Sequence, residues 1–163
     1  MSIATALQID AIPAELRQLL QWVTWRYEQR DPARKPTKIP KNPRTGANAS
    51  TTDPATWSTC AEAVTACSRF GHDGVGFVFA AGDPYFGVDL DRCRDAETGH
   101  IAPWAQTIVR RLDTYTEVTP SGTGLHIIGK GTLPPGQRRT GSIEMYDQKR
   151  FFTVTGQALE VQP

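Results

Sequence analysis

Three short segments of this sequence alternate apolar with polar or ionisable residues, and this alternation constrains the fold more than any other feature. The segments run Gly-Val-Asp-Leu-Asp over 87–91, Ser-Gly-Thr-Gly-Leu-His over 121–126 and Ile-Glu-Met-Tyr-Asp over 143–147. A period of two is typical of strands with one face in the core. Asp89 and Asp91 therefore project from the same face, about 6.6 Å apart along the chain. Because clustered carboxylates repel one another, the pattern predicts a divalent cation on a sheet.

Composition narrows the class of protein. A length of 163 residues predicts one domain, and a net charge of +1 excludes an overall polycation but not a local basic groove. The three cysteines form no metal-binding pair, and Cys60 and Cys67 are expected to pack as small apolar residues in a helix. Sparse cysteines, no signal-peptide pattern and no long apolar run predict a cytoplasmic protein that does not enter a membrane.

The order of elements predicts an α/β (α+β) fold with a mixed or antiparallel sheet. Helices are expected from Pro13, from Asp53 to about Ser68, and over 103–112. The predicted strands run over 22–27, 75–80, 85–91, 115–119, 125–129, 142–146 and 151–155. Strands 75–80 and 85–91 are expected to form a hairpin, and 31–54 to form a long loop.

The carboxylates of Asp89 and Asp91 are hard oxygen donors that suit Mg²⁺ or Mn²⁺. Glu144 is the candidate third ligand, since it alternates with two apolar neighbours. An isolated Asp-x-Asp pair is more often only solvent-facing, so that alternative stays open. An EF-hand is excluded because Arg94 and His100 occupy the positions that require glycine and glutamate.

The loop over 119–124 is rich in glycine and hydroxyl groups. Gly122 and Gly124 allow a backbone that exposes N–H groups to an anion, and the Ser121 hydroxyl adds a donor. His126 begins the next predicted strand and can donate to a phosphate oxygen. An ordinary strand connection with a structural histidine is the alternative.

Basic residues concentrate between Arg26 and Arg44, where seven stand against two acidic ones, next to three aromatic residues. Such a segment suits a single strand or a triphosphate, and a solvated loop is the alternative. The candidate contacts in it are Lys35, Lys38, Lys41 and Arg44. Arg150 follows the Glu144 strand and can bind a phosphate with two parallel hydrogen bonds, although an ordinary turn charge is equally consistent.

In this order the motifs resemble the archaeo-eukaryotic primase superfamily, and most of all the primase-polymerase domains of phage and plasmid replication proteins, which are often fused to a helicase. The resemblance runs from about Trp22 to Gly156. It includes the segments Lys-Pro-Thr-Lys-Ile-Pro over 35–40, Asp-Pro-Ala-Thr-Trp over 53–57 and Arg-Phe-Phe-Thr-Val-Thr-Gly over 150–156.

The resemblance implies an RRM-like catalytic module packed with an N-terminal α/β module. It implies that Asp89, Asp91 and Glu144 bind Mg²⁺ or Mn²⁺, and that Ser121 and His126 contact the triphosphate, with Arg150 and Lys38 neutralising it. The implied reaction is nucleotidyl transfer from an NTP or dNTP to a primer on single-stranded DNA. Two metal ions would clamp the attacking and leaving oxygens.

We expect the chain to be a catalytic domain from the N-terminal part of a larger replication protein that works with a helicase domain or protein. We expect weak de novo priming from this domain alone, because relatives use further elements to start primers. A non-catalytic module that binds single-stranded nucleic acid or nucleotides, and a metal nuclease with the same carboxylates, are the alternative functions.

Overall fold

The computed structural model describes residues 7–159, which form an α+β fold with two antiparallel sheets. The elements in chain order are α1 (Ala14–Arg17), β1 (Trp22–Glu28), β2 (Thr37–Lys41), α2 (Cys60–Phe70), β3 (Gly74–Phe79), β4 (Tyr85–Leu90), α3 (Pro103–Leu112), β5 (Tyr115–Val118), β6 (Leu125–Lys130), β7 (Arg139–Thr140), β8 (Ile143–Tyr146) and β9 (Arg150–Val154). The expected fold class is therefore confirmed. Within 7–159, none of the helices has the length and apolar character needed to span a membrane.

The first sheet has the strand order β2-β1-β3-β9 and carries an aromatic core. Trp22 on β1 and Phe77 on β3 are fully buried and meet edge to face, with ring centroids 5.4 Å apart. Helix α2 covers them with its small side chains, among them Cys60 and Cys67, whose predicted burial is confirmed. Burial raises the pKa of both thiols to about 11, so they stay neutral and apolar.

The second sheet has the strand order β5-β6-β4-β8-β7. Helix α3 packs on one of its faces, where Ala105 and Val109 contact the alternating apolar residues of β4 and β6. The order β5-β6-β4-β8, with α3 as the crossover between β4 and β5, is that of an RRM-like sheet. Pro103 at the first turn of α3 and Asp113 in the left-handed conformation at its end mark the predicted boundaries.

The predicted hairpin between 75–80 and 85–91 is wrong. Strand β3 pairs with β1 and β9, whereas β4 pairs with β6 and β8. The turn at Asp83 carries the chain from one sheet to the other, and its carboxylate accepts hydrogen bonds from the Ala80 N–H and the Gln21 amide. The burial patterns explain this difference, because all six residues of β3 are buried while β4 carries half-buried positions.

Two further expectations need correction between residues 31 and 70. The predicted long loop contains β2, an edge strand in which Pro40 is tolerated because its missing N–H faces away from the sheet. The helix expected from Asp53 is only the 3₁₀ turn Pro54–Thr56, and α2 begins after Thr59, which forms a capping box with Glu62.

The two sheets meet where β9 crosses the face of the second sheet opposite α3. The ring of Phe152 on β9 lies against Phe79 and over Gly87 on β4. A Cβ atom at Gly87 would lie 2.4 Å from both rings, so only glycine allows this close approach. The acidic residues begin at Asp89, two residues after Gly87 on β4.

Candidate metal and nucleotide site

Five side chains form a row across the second sheet, one from each strand. Strand register pairs Glu117 with His126 and His126 with Asp89. It continues by pairing Asp89 with Glu144 and Glu144 with Arg139. Because directly paired residues of antiparallel strands point to the same face, these side chains are neighbours. These five residues form a charged row. It brings together Asp89, His126 and Glu144, which the sequence predicted on three separate strands.

Three carboxylates converge at the centre of the charged row. Asp89, Asp91 and Glu144 each offer an oxygen, and these oxygens lie within 4.8 Å of one another. The Asp89 Oδ1 atom is buried and has no hydrogen-bond partner among residues 7–159. Burial raises the pKa of Asp91, and the charges of Asp89 and Glu144 raise it further. Such oxygens are the ligands that Mg²⁺ and Mn²⁺ prefer, so the donor set fits the expected cation.

The ring of His126 is held from two sides. Its Nδ1 atom lies 2.9 Å from the Thr153 carbonyl oxygen, and since a carbonyl only accepts, Nδ1 carries the proton. Its Nε2 atom faces Asp89 Oδ1 at 3.4 Å, a distance of an ion pair rather than a well-formed hydrogen bond. The ring stacks on Phe152 with centroids 4.4 Å apart. Burial lowers the pKa of His126, but Asp89 and Glu117 together with the Thr153 carbonyl outweigh it and raise the pKa.

The loop over 119–124 lies beside the carboxylates. Its three hydroxyl groups form a chain, in which Ser121 Oγ is 3.1 Å from Thr119 Oγ1 and 2.9 Å from Thr123 Oγ1. Gly122 has a φ of 81°, which favours glycine. A Cβ atom at Gly124 would lie 2.8 Å from the Leu90 carbonyl oxygen, next to Asp91. The glycines thus allow the loop to approach the end of β4.

Arg94 anchors this loop and was not among the predicted site residues. Its Nη1 atom donates to the Gly122 carbonyl oxygen at 2.8 Å, and its backbone N–H donates to Thr123 at 3.0 Å. In the sequence, its position three residues after Asp91 was the one feature that pointed to this site. The contact itself depends on how two loops fold together. The segment after β4 therefore supports the glycine loop.

Lys38, on β2 of the first sheet, lies close enough to Asp89 and Asp91 for their charges to act on its ammonium group. Its ammonium nitrogen lies 5.6 Å from the ring centroid of Trp25 and 6.0 Å from that of Tyr27. Burial lowers the pKa of Lys38, while the charges of Asp89 and Asp91 oppose the decrease. Strand β2 thus points a cation at the acidic side chains of the other sheet.

The other basic candidates have different surroundings. Lys35 is exposed on the segment before β2. Lys41 contacts Glu28 at 3.4 Å and donates to the Asn48 amide oxygen at 2.6 Å. Arg44 forms two hydrogen bonds with Glu62, at 3.0 and 3.2 Å. A nucleic acid that binds Lys41 and Arg44 would therefore compete with the hydrogen bonds that these side chains make within the protein.

Arg150 packs on Tyr146, the residue that contacts the third carboxylate. Its guanidinium carbon is 4.8 Å from the ring centroid of Tyr146, and the Tyr146 hydroxyl donates to Glu144 Oε1 at 3.1 Å. Arg139 also approaches Glu144, at 3.6 Å between Nη1 and Oε1. The sequence placed Tyr146 on the face of Glu144, but Arg139 was missed because β7 has only two residues and carries no periodic signal.

The chain resembles one known replication protein over most of its length. It is 37% identical over 160 residues to a protein of Nitratiruptor phage NrS-1 named DNA Primase-polymerase. The match covers 94% of this chain and 21% of the phage protein, so the chain spans about a fifth of the length of that relative. No family model matches the chain. The chain is therefore similar to one part of a phage protein that carries this name.

Proposed function

We propose that this chain is the catalytic core of a metal-dependent DNA primase-polymerase, which adds nucleotides to a primer on a single-stranded template in phage or plasmid replication. The convergence of Asp89, Asp91 and Glu144 within 4.8 Å of one another, beside a glycine-rich loop, is the observation that carries this proposal. The similarity to a phage primase-polymerase supports it.

Asp89, Asp91 and Glu144 are the proposed ligands of Mg²⁺ or Mn²⁺. A divalent cation bound there supplies positive charge at the reacting oxygens and lowers the pKa of the primer hydroxyl. In the reaction, the primer 3′-oxygen forms a bond to the α-phosphorus of an NTP or dNTP. The bond from that phosphorus to the bridging oxygen breaks, pyrophosphate leaves with the electron pair, and the hydroxyl proton passes to solvent.

The surrounding residues are proposed to hold the triphosphate. The loop offers the hydroxyl group of Ser121, whereas the N–H groups of Gly122 and Gly124 donate to Thr119 within the loop, so a phosphate would compete for them. His126 lies next to Asp89, with Nε2 3.4 Å from Asp89 Oδ1. Lys38 and Arg150 approach from β2 and from the start of β9, both of which belong to the first sheet. These cations neutralise charge that develops on the leaving pyrophosphate.

The template strand is proposed to follow the basic segment of the first sheet. Lys35, Lys41 and Arg44 lie along it, and the half-exposed ring of Tyr27 offers a surface on which a base can stack. We further propose that the chain is a single domain of a longer replication protein, acts with a helicase domain or protein, and works in the cytoplasm of a bacterial or phage-infected cell.

Primer extension tests this proposal. A labelled primer on a single-stranded template is incubated with the protein, dNTPs or NTPs, and Mg²⁺ or Mn²⁺. We expect extension by the wild-type chain and a loss of about 10³-fold in Asp89→Ala with Asp91→Ala, because several kcal/mol of transition-state stabilisation disappear. Glu97→Ala removes an exposed acid from the neighbouring turn and serves as the matched control.

Each other outcome of this assay has a defined meaning. Unchanged extension in the double aspartate variant contradicts the site. Shortening of the labelled primer indicates a nuclease instead. Binding of dNTP and single-stranded DNA without extension, and without dependence on metal, indicates a binding module of the same fold. Repeating the assay without a primer measures de novo priming, which we expect to be weak.

A further inference from the structure

Glu117 is a fully buried carboxylate to which the proposed reaction assigns no role. It lies on β5 at one end of the charged row, with 0% of its surface exposed. Its Oε1 atom accepts from the Tyr115 hydroxyl at 2.8 Å and from the Gly156 N–H at 3.2 Å. Its Oε2 atom accepts from the Thr155 N–H at 2.8 Å, whereas the Thr155 hydroxyl donates to the Val118 carbonyl oxygen at 2.6 Å. Three donors thus surround one carboxylate.

Burying a charged carboxylate in this way costs free energy of folding. Burial raises the pKa of Glu117, and the charge of His126 and the surrounding donors oppose the increase. A buried charge loses its hydration, so that an apolar residue of similar size often serves stability as well. The Tyr115 hydroxyl and the N–H groups of Thr155 and Gly156 all donate, which matches the acceptor-only chemistry of an ionised carboxylate.

Two contacts connect Glu117 to His126. The two residues are direct cross-strand neighbours, so the carboxylate and the imidazole share one face of the sheet. The donors Thr155 and Gly156 directly follow β9, and the Thr153 carbonyl of that strand holds His126 Nδ1. Glu117 therefore fixes both the electrostatic surroundings of the ring and the backbone that orients it.

We propose that Glu117 is a positioning residue, which holds the imidazole of His126 with Nε2 directed at Asp89, beside the proposed triphosphate site. This inference rests on the proposed function, because it assigns Glu117 to the same site. Glu117 lies on the side of the ring away from the carboxylate cluster, so it acts through His126 and touches no substrate. Such residues behind a functional side chain typically change activity or affinity by 10- to 100-fold when replaced.

The variant Glu117→Gln keeps the shape of the side chain but removes its charge and one of its acceptor oxygens. We expect the KM for dNTP in primer extension to rise about 10-fold, with kcat within about 2-fold of the wild-type value, because ground-state contact with the triphosphate is lost. Thr116→Val is the matched control. Thr116 is the next residue of β5 and is also buried, but its side chain points to the face that α3 covers, and we expect its KM to be unchanged.

A double variant separates positioning from general damage. If Glu117 acts through His126, Glu117→Gln should have no further effect on KM in a His126→Ala background. Equal effects of Glu117→Gln with and without His126 overturn the inference, as does a wild-type KM in the single variant.

The ¹⁵N NMR signals of the His126 ring provide a readout that does not depend on activity. We expect a protonated Nδ1 with a single set of signals in the wild-type chain, and shifted or broadened signals in Glu117→Gln but not in Thr116→Val. If the wild-type chain extends no primer while these signals shift, the proposed function fails and the positioning role stands. If primers are extended and the signals stay unchanged, the positioning role fails.

A second, milder variant tests the same inference. Should Glu117→Gln not fold, Tyr115→Phe removes one of the three donors with little change in shape. We expect ring signals displaced in the same direction by a smaller amount. Unchanged signals in Tyr115→Phe then overturn the inference.

Discussion

The face of the second sheet that looks toward the first sheet has two halves, built from the same strands. The closed half, represented by Tyr85, Gly87 and Ile128, lies in the aromatic core under β9. The open half, formed by Asp89, Asp91 and Glu144, begins two residues further along β4 and carries three carboxylates whose oxygens lie within 4.8 Å of one another. A distance of two residues along β4 therefore separates a packed core from a candidate metal site.

The two halves differ because β9 covers only the closed half. Phe152 closes the face over Gly87, and the ring of His126 stacks on Phe152 at the boundary. The closed half gains free energy from excluded water, whereas the open half leaves like charges at close range. Variants should therefore lower stability in the closed half and activity in the open half.

The largest effect on stability is expected in the closed half. Phe152→Ala removes a ring that is 4% exposed and contacts Phe79 and His126, so the free energy of unfolding should fall by about 3–5 kcal/mol. Urea unfolding followed by circular dichroism measures the change. Trp104→Ala is the control, since this exposed ring on α3 should contribute about 0.5 kcal/mol or less. Equal losses in the two variants would contradict a packed closed half.

The second effect is stabilisation of the open half by metal. At a concentration about 100 times its Kd, Mg²⁺ or Mn²⁺ should raise the free energy of unfolding by about 2.7 kcal/mol, because it binds the folded chain. Denaturant titration with and without metal measures this gain. The gain should vanish in Asp89→Asn with Asp91→Asn and persist in Glu97→Gln. A gain of the same size in the double variant would show that the metal binds elsewhere.

The smallest effect concerns charge repulsion in the open half. Without metal, Asp91→Asn should raise the free energy of unfolding by about 0.5–1 kcal/mol, since it relieves repulsion from Asp89 and Glu144. The same substitution should abolish the metal-dependent gain and reduce primer extension. Unfolding in the presence of a chelator measures the first effect. Loss of stability in Asp91→Asn would mean that this carboxylate has a structural role.

The parts of the fold that were predicted correctly depend on local patterns. The period-two alternation around Asp89 and Glu144 indicated both strands and their polar faces, and Pro103 marked the first turn of α3. The hairpin between β3 and β4 was wrong because a Gly-Asp-Pro turn connects strands of one sheet or of two sheets equally well. Strand β2 was missed because Pro40 and its polar neighbours resemble a loop until β1 supplies a partner.

The sequence alone determined which residue types stand on which strand and on which face, since side-chain direction follows from the local backbone geometry. That was enough to make Asp89, Asp91, Glu144 and His126 candidates, which their order along the chain and the resemblance to a known family then favoured. Only the tertiary structure decided that these residues are direct neighbours, that Lys38 approaches from the other sheet, and that Glu117 lies behind His126. The physical reason is that strand register and the packing of the two sheets depend on hydrogen bonds and contacts between distant segments, which local periodicity does not encode.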